Sequence, residues 1–408
     1  MNKRKIINDP VYGFIKIPDE LIFDIIEHPF FQRLRRIRQL GMTDLVYPGA
    51  LHTRFHHALG AMHLSEQAIN VLRWKGVDIS EEESLGLKIA VLLHDIGHGP
   101  FSHSLESCII PNTSHEKLSL FFMQILNKYF QNRLELAIEI FTGTYHRKFF
   151  HNLVSGQLDM DRMDYLNRDS FFTGVHEGVI GYDRIIKMLH VVDDKLVVEH
   201  KGIYSIEKFL IARRLMYWQV YLHKTVICAE QMLIRIFKRA KELISAGEKL
   251  FTFGAFQYFL QPRTNEFDLN NAEFANQFAQ LDDADIQAHI KAWTTEKDIV
   301  LSELCKSILN RNLLHIEMDI VKIEPEIIEN YKKKTAEKLK ISMEDTEYFV
   351  FKDKTTNNAY NPSGGKIEIL YKNGQLIDIA EASDHLNIHT LSATVTKHYL
   401  CYPKFILT

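Results

Sequence analysis

His94-Asp95-Ile96-Gly97-His98-Gly99-Pro100-Phe101-Ser102-His103 follows directly on the apolar run Leu87–Leu93. An apolar helix that closes on adjacent His and Asp, then breaks at Gly97, Gly99 and Pro100, gathers nitrogen and carboxylate donors at a helix C-terminus. The partial negative charge there favours a cation. Two more histidines, His98 and His103, follow in the loop. The stretch predicts a metal-centred hydrolytic site. Alone it is a weak signal: a chain with 20 His and 52 acidic residues carries such pairs by chance, and a capped helix end would look the same.

Two other segments answer to it. In Leu51–Leu72, Phe55, Leu59, Met62, Ile69 and Leu72 recur at helical spacing, which predicts an amphipathic helix. His52, His56, His57 and His63 crowd this helix; one of them is enough for a ligand, and the spacing does not choose it. In Gly156–Ser170, Asp161, Tyr165, Arg168 and Asp169 fall within about a third of the helix circumference, opposite Met160, Met163 and Leu166. A solvated helix would divide the same way. This polar face, however, holds Asp, Tyr and Arg and almost no Lys, a composition suited to a metal ligand flanked by phosphate and sugar contacts.

A third face lies in Ser205–Ile244, which has no Gly or Pro and reads as one long or two abutting helices. Arg213, Tyr217, Tyr221 and Lys224 fall within about 80° on that wheel. They form either the snorkelling edge of an amphipathic helix or an aromatic and cationic wall that grips a polyphosphate and stacks on a base.

Taken together, His57, His94-Asp95 and Asp161 resemble the four-ligand signature of the HD-domain phosphohydrolases. Gln39-Leu40-Gly41, Tyr47-Pro48-Gly49-Ala50, Arg54 to Gly60, His94 to His103 and Asp159 to Tyr165 resemble its deoxynucleoside-triphosphate triphosphohydrolase branch, which includes dGTPase-like enzymes. The likeness covers roughly residues 3–240. It implies that His57, His94, Asp95 and Asp161 bind the metal, and that His103 is the general acid for the leaving 5′ oxygen, oriented by Glu106. It implies that His98, His115 and Glu116 line the α-phosphate and the attacking water. Arg54, Arg162, Tyr165 and Arg213 would hold the triphosphate, with Leu40 and Tyr217 as further substrate contacts. Gln39 and Asp169 would bind the sugar 3′-hydroxyl, and Tyr221 would crowd the 2′ position. The chain departs from the branch at Leu222, where a polar side chain is expected near the base, and at His56, where an acid is expected.

The same resemblance extends to regulation. Lys5 to Pro10 and Glu27 to Arg35 are similar to a stretch that binds activating nucleotides, which implies Asn8, Glu27, Gln32 and Arg35 as contacts. Arg33, Arg35, Arg36 and Arg38 would be either a solvated basic helix or positive charge placed for a second polyphosphate at a subunit interface. The implied activity is metal-dependent hydrolysis of a dNTP, dGTP preferred, to deoxynucleoside and inorganic triphosphate. A second bound dNTP would activate a homo-oligomer, a tetramer or hexamer. No helical interaction domain precedes residue 3, so a bare catalytic form is expected. Two alternatives stand beside this reading. One is another HD phosphohydrolase acting on ribonucleotide alarmones or nucleoside monophosphates. The other is a nucleotide-sensing or nucleic-acid-binding protein that keeps the site as a pocket, against which the intact ligands and the His103/Glu106 pair weigh.

The residue types suit the chemistry independently. Arg pairs with phosphate through charge-assisted, bidentate hydrogen bonds. A mixed His/Asp set suits Mn²⁺, Fe²⁺, Zn²⁺, Ni²⁺ or Co²⁺ better than Mg²⁺, for which the phosphates are the expected place. No GxxxxGK[ST] loop is present, which excludes a P-loop mechanism.

At 408 residues and 46% hydrophobic, the chain can bury a large core. A formal net charge of −3 gives no bulk attraction to nucleic acid. Cys108, Cys228, Cys305 and Cys401 form no CxxC pair, which argues against a zinc knuckle and for a reduced compartment. Met1–Gly13 lacks an apolar leader core and no run of 18 apolar residues exists, so a soluble, cytoplasmic protein without a membrane partner is expected.

Helical patterns run from Ile22 to Ile244, interrupted by a hairpin at Val191–Val198, and continue over 250–312. From His315 the texture changes: a β-rich stretch to Ile323, a Lys-rich helix near Glu324–Leu339, strands at Glu347–Lys352 and Lys366–Tyr371, and an Asn373-Gly374 turn into Gln375–Ala380. Thr355–Gly365 reads as a loop and Leu391–Tyr399 as a last helix. The expected fold is mainly α, an HD-domain helical fold with a small α+β C-terminal region. Residues 1–312 would form the core with its helical extension, and 313–408 the appended region.

Overall fold

The computed structural model describes residues 5–102, 104–261, 271–319, 324–358, 360, 365–383 and 393–407. The apolar run lies in a helix, Glu81–Leu93, that stops at His94. A capping box fixes its start: Ser80 Oγ accepts from the Glu83 N–H at 3.1 Å, and the Glu83 carboxylate accepts from the Ser80 N–H at 2.8 Å. Every residue from Gly86 to Leu93 is buried. Its last turns, Ile89–Leu93, are apolar on every side and so sit inside the protein, carrying the His-Asp pair into the interior.

It packs on the helix Arg54–Trp74, which also packs on Met160–Thr173. Arg54–Trp74 was expected to be amphipathic, yet from His57 to Met62 every residue is buried. It is the central helix, and its polar side chains serve the interior. Met160–Thr173 starts at Asp159, whose carboxylate accepts from the Arg162 N–H at 2.7 Å, and ends at Gly174 in the left-handed conformation (φ 74°). Met160, Met163 and Leu166 are fully buried as expected; so are Asp164 and Arg168 opposite them. That face is therefore not solvated.

The long segment resolves into two helices, Ile203–Met216 and Lys224–Ser245, joined by a π-helical turn, Tyr217–Tyr221, and a break at Leu222-His223. A wheel drawn at a constant 100° fails across this joint, because a π turn adds a residue per turn. Lys224, placed beside Tyr221 by that wheel, is exposed at the start of the second helix. Helices Gly254–Leu260, Ala272–Gln280, Asp283–Trp293 and Ile299–Leu309 follow, in line with the expectation for 250–312.

The strands are short. β1 (Ile6–Asp9) and β2 (Gly13–Lys16) form an antiparallel hairpin that the sequence did not announce. β3 (Leu189–Val192) and β4 (Lys195–Glu199) form the expected hairpin. β5 (His315–Asp319) precedes the Lys-rich helix, Pro325–Leu339; residues 320–323 of the expected β-rich stretch lie outside the described residues. β6 spans Phe351–Asn357 and takes in the start of the expected loop, while a 3₁₀ turn at Asp345–Tyr348 replaces the start of the expected strand. Much of the remainder of that loop lies outside the described residues. β7 (Glu368–Leu370) and β8 (Leu376–Asp378) pair across the Asn373-Gly374 turn as expected, with Gly374 at φ 84°. The expected last helix is instead β9 (Val395–Tyr402), the middle strand of the sheet β5-β9-β6. Its run of β-branched and aromatic residues fits a pleated surface, and Tyr399 to Tyr402 are buried there. β7 runs parallel to β4, which joins the C-terminal strands to the helical core.

Candidate active site

The central helix, the end of Glu81–Leu93 and the first turn of Met160–Thr173 meet at one point. His57 Nε2 lies 3.3 Å from His94 Nε2 and 3.1 Å from Asp161 Oδ1, and His94 Nε2 lies 3.5 Å from the same oxygen. Each ring is held from behind. His57 Nδ1 is 2.7 Å from Asp164 Oδ2, and His94 Nδ1 is 2.6 Å from the Val91 carbonyl, which can only accept. With Nδ1 as the donor in each ring, the two Nε2 lone pairs point at one another across 3.3 Å. Such an arrangement is repulsive unless positive charge lies between them. Donor set and orientation therefore fit a divalent metal, whose His ligands are characteristically fixed through their other nitrogen.

The electrostatics agree. Burial alone would depress the His57 imidazole, but the hydrogen bonds to Asp161 and Asp164 outweigh it and lift its pKa to about 10. Asp161 is only half-buried, and although its desolvation acts the other way, its bonds to His57 and His94 hold its carboxyl far below the usual range. The pocket is built to stabilise positive charge. Asp95, the fourth expected ligand, lies 3.4 Å from His94 Nε2 and 3.8 Å from His57 Nε2, at the edge of this trio. Arg54 Nη1 holds it at 2.5 Å and His98 Nε2 at 3.3 Å.

The Gly-rich loop after Asp95 is fastened to its surroundings. Gly97 is required by contact: a Cβ there would lie 2.3 Å from the Ser119 nitrogen and 2.4 Å from the His115 carbonyl. Ser119 Oγ accepts from the Gly97 N–H and donates to the His94 carbonyl. Farther on, Phe101 takes a left-handed conformation (φ 46°), and its N–H donates to Asp283, which also accepts from the Arg38 N–H. Burial pushes the Asp283 carboxyl up to about 6.

A cleft of about 460 Å³ opens over these groups, within the usual size of small-molecule sites. Of the residues expected to serve the site, Gln39, Leu40, Arg54, Asp95, His98, His115, Asp161, Arg162, Tyr165, Asp169, Tyr217 and Tyr221 line it. His57 and His94 are buried beside it. Arg213 is not among the lining residues; its guanidinium lies 3.5 Å from Gln157 Oε1, over the Tyr217 ring. Arg162 is bonded to Asp159. His98 stacks on His115 with ring centroids 4.0 Å apart. Glu106, expected one turn beyond His103, accepts from the His115 backbone N–H at 2.7 Å and from its ring at 3.1 Å. His98, Glu106 and His115 place three donor atoms within 4.8 Å of one another. Glu116 is exposed, 3.4 Å from His115 Nε2. His103 lies outside the described residues.

Asp169 is engaged twice: His52 Nε2 at 2.7 Å on one oxygen and the Tyr221 hydroxyl at 2.8 Å on the other. The Tyr221 ring meets Tyr165 and Tyr217 edge-on, at 6.0 and 5.1 Å. Sequence reasoning missed Asp164, His52, Thr43, Ser102, Glu230 and Asp283 as parts of this site. Asp164 left a trace, three residues after Asp161 and so on the adjoining face, and His52 stood among the four crowded histidines with no role assigned to it. Glu230 lines the cleft from the second turn of Lys224–Ser245, and burial pushes its carboxyl up to about 7.

The arginine run is divided: Arg33 is inside the protein, Arg35 and Arg36 reach solvent, and Arg38 is half-buried. Arg33 is fully buried, donating to the Ile96 carbonyl at 2.7 Å, with burial lowering its pKa to about 9. Arg36 is paired with Asp282, and Arg38 with Asp44. Arg35 is exposed; its Nε donates to Gln32 Oε1 at 2.8 Å, and its guanidinium lies 3.6 Å from the Phe55 ring centre. Asn8 and Glu27 are exposed.

Residues 54–169 match the HD domain model, and residues 180–265 match the HD associated region. The first match runs from Arg54 to Asp169 and so encloses the His57–His94–Asp161 trio. A phosphohydrolase from Bacteroides thetaiotaomicron has a solved structure that superposes with a TM-score of 0.94 at 51% identity, covering 98% of this chain and 99% of that one. The chain belongs to the HD-domain phosphohydrolase family. It is also 32% identical to the uncharacterized Bacillus subtilis protein YwfO, over 100% of this chain and 94% of that protein. It is 31% identical to the Dictyostelium discoideum homolog of the deoxynucleoside triphosphate triphosphohydrolase SAMHD1, over 60% of this chain and 51% of that protein. Like other HD-domain phosphohydrolases, this one carries a His/Asp group able to hold a divalent metal. Among the described residues, no helix is long and apolar enough to cross a membrane.

Proposed function

We propose that this HD-domain protein hydrolyses deoxynucleoside triphosphates to the deoxynucleoside and inorganic triphosphate. The observation that carries the reading is a single cleft combining a cation-ready His/Asp trio, the guanidinium groups of Arg54 and Arg162, and a carboxylate, Asp169, braced by Tyr221. The name of the Dictyostelium relative supports the substrate class.

His57, His94 and Asp161, with Asp95 as fourth ligand, hold the metal. When bound, that ion supplies Lewis-acid stabilisation of the charge developing on the α-phosphoryl group. Arg54, Arg162 and Tyr165 clamp the triphosphate, with Arg213 behind Tyr217. His98, His115 and Glu116 orient water against the α-phosphorus, and burial, with Arg54 nearby, keeps the His98 ring neutral by lowering its pKa well below the usual value. The water oxygen bonds to the α-phosphorus and releases its excess proton to solvent, the bond to the 5′ oxygen breaks, and His103 gives that oxygen its proton. Gln39 and Asp169 read the 3′-hydroxyl, with Leu40 beside the sugar. Tyr221, locked by Asp169 and two tyrosine rings, fills the place of a 2′-hydroxyl.

The test is to incubate the protein with each dNTP and NTP plus Mn²⁺ or Mg²⁺ and separate the products. Deoxynucleoside and triphosphate are expected, with dGTP consumed fastest. Release of pyrophosphate or orthophosphate, or equal rates on GTP and dGTP, would overturn the reading.

Regulation by a second dNTP is part of the same proposal, with Asn8, Glu27, Gln32 and Arg35 as its contacts in a homo-oligomer. The stack of Arg35 on Phe55 supports it, because Phe55 lies two residues before His57 on the central helix. A nucleotide with higher affinity for the active assembly would raise its population. Hydrolysis of one dNTP should then rise on adding a different one, and Arg35→Ala should weaken that response more than the basal rate. Strictly additive rates in every pairwise mixture would rule it out.

A further inference from the structure

Behind His57 runs a chain of buried charge that the proposed chemistry does not use. Asp164 accepts from His57 Nδ1 and is itself gripped by Arg168, whose Nε lies 2.9 Å from Oδ2 and whose Nη2 lies 3.0 Å from Oδ1. The same guanidinium reaches Asp9: Nη1 is 2.7 Å from Oδ2 and Nη2 is 3.4 Å from Oδ1. Asp9 closes β1, and Tyr12 in the turn that follows packs edge-on against Tyr182 with its ring near the Arg168 guanidinium. Asp164 and Arg168 have no solvent exposure, and Asp9 has 7%. The sequence makes room for them: a Cβ on Gly60 would lie 2.0 Å from Asp164 Oδ1 and 2.2 Å from Arg168 Nη2. Gly60 sits one turn after His57 on the central helix, so the glycine and the ligand belong to one arrangement.

We infer that Asp9 is a positioning residue of the metal centre, acting through Arg168 and Asp164 on His57. The inference rests on the reading that His57, His94 and Asp161 hold a metal. Asp9, Arg168 and Asp164 together carry one net negative charge beside a site meant for a cation. Asp9 also balances the pull of Arg168 on Asp164, leaving that carboxylate free to accept strongly from His57 Nδ1–H. A stronger acceptor there fixes the ring and makes Nε2 a better ligand. Without the charge on Asp9, Arg168 draws Asp164 toward itself, and its own positive charge opposes the metal unscreened. The N-terminal hairpin is therefore part of the metal centre, although it lies outside the 54–169 match to the HD domain.

Asp9→Asn isolates the charge. Asp9 Oδ1 also accepts from the N–H groups of Val11 and Tyr12, and an amide oxygen can keep both bonds. The full chain, stripped of metal, is titrated with Co²⁺ against a chromophoric chelator, and the visible Co²⁺ spectrum is recorded. Asp164→Asn should weaken Co²⁺ binding about 10–100-fold, and Asp9→Asn about 10-fold, at the lower end of what a residue behind a ligand contributes. Both should alter the Co²⁺ band, which a loss of general stability would not do. Arg168→Lys keeps the buried charge but cannot bond both carboxylates as a fork; it should match Asp9→Asn and serves if that variant fails to fold. Wild-type Co²⁺ affinity and spectrum in a folded Asp9→Asn or Arg168→Lys protein would overturn the inference alone. A wild-type protein that takes up no Co²⁺ would overturn the metal reading and the inference with it.

Discussion

At the His57–His94–Asp161 trio each ring answers to a group behind it, Asp164 or the Val91 carbonyl, and Asp164 answers in turn to Arg168. The wall of the cleft formed by Tyr217, Tyr221 and Glu230 is held differently, by ring edges, one bond to Asp169 and a carboxyl whose pKa burial has raised. The difference follows from the tasks. Ligand atoms around an ion must stay within a few tenths of an ångström, which requires buried partners. On the proposed function, the tyrosine wall has to exclude a wrong sugar and admit the right one, which ring packing can do.

The largest effect should come from breaking the first region. Asp161→Ala removes the carboxylate shared by both histidines, while Met160, Met163 and Leu166 keep the helix packed. Metal content measured after dialysis should fall to background. Turnover should drop by more than about 10³-fold, above the cost of removing a single electrostatic donor. Helical content should be unchanged by circular dichroism. A variant that retains stoichiometric metal and wild-type turnover would show that Asp161 is not a ligand.

Tyr221→Ala attacks the second region. Removing the ring empties the space beside Asp169 and leaves Tyr165 and Tyr217 without their edge contact. The ratio of kcat/KM for dGTP over GTP should fall by about 10–200-fold, the worth of a misfit group in a closed pocket. Metal affinity should not change. An unchanged ratio would mean that sugar choice is made elsewhere.

The two regions also differed in how far they could be read in advance. The His/Asp end was legible because its residues sit at ends of strongly patterned helices: His94-Asp95 follows a helix whose last turns, Ile89–Leu93, are apolar, and Asp161 lies in the first turn after a capping Asp159. Its support was not, since Asp9 reaches Asp164 only through Arg168, 159 residues away in sequence, and no local pattern marks such a partner. Of the face read from Arg213, Tyr217, Tyr221 and Lys224, only the two tyrosines line the cleft: the π turn at Tyr217–Tyr221 moved Lys224 out to solvent. Arg33 was misjudged because a charged residue can be fully buried when backbone carbonyls, here those of Leu281 and Ile96, accept from its Nη1 and Nη2. In the C-terminal region, Leu391–Tyr399 read as a helix because its partners β5 and β6 are remote in sequence; pairing on both edges made it a central strand from Val395.

The smallest effect tests Glu230, the ionisable group of the tyrosine wall. Its ordinary pKa is 4.5, and burial pushes it up to about 7, with Ser104 beside it opposing the shift. The folded protein thus binds this proton more tightly than the unfolded chain. Its contribution to stability is fully present below pH 4.5 and is lost as pH rises through about 7. A rise of that size corresponds to on the order of 3 kcal/mol, and solvent reaching the open cleft reduces it to about 1 kcal/mol. Glu230→Gln cannot titrate, so the fall in unfolding free energy between pH 5 and pH 8, measured by urea denaturation, should be smaller in the variant by about that amount. The metal-end carboxylates, held low by their histidine and arginine partners, titrate outside this window in both proteins and cancel in the difference. Superimposable pH–stability curves would mean that Glu230 already finds in the fold what Asp161 and Asp164 find, and the contrast between the two regions would then rest on geometry without charge.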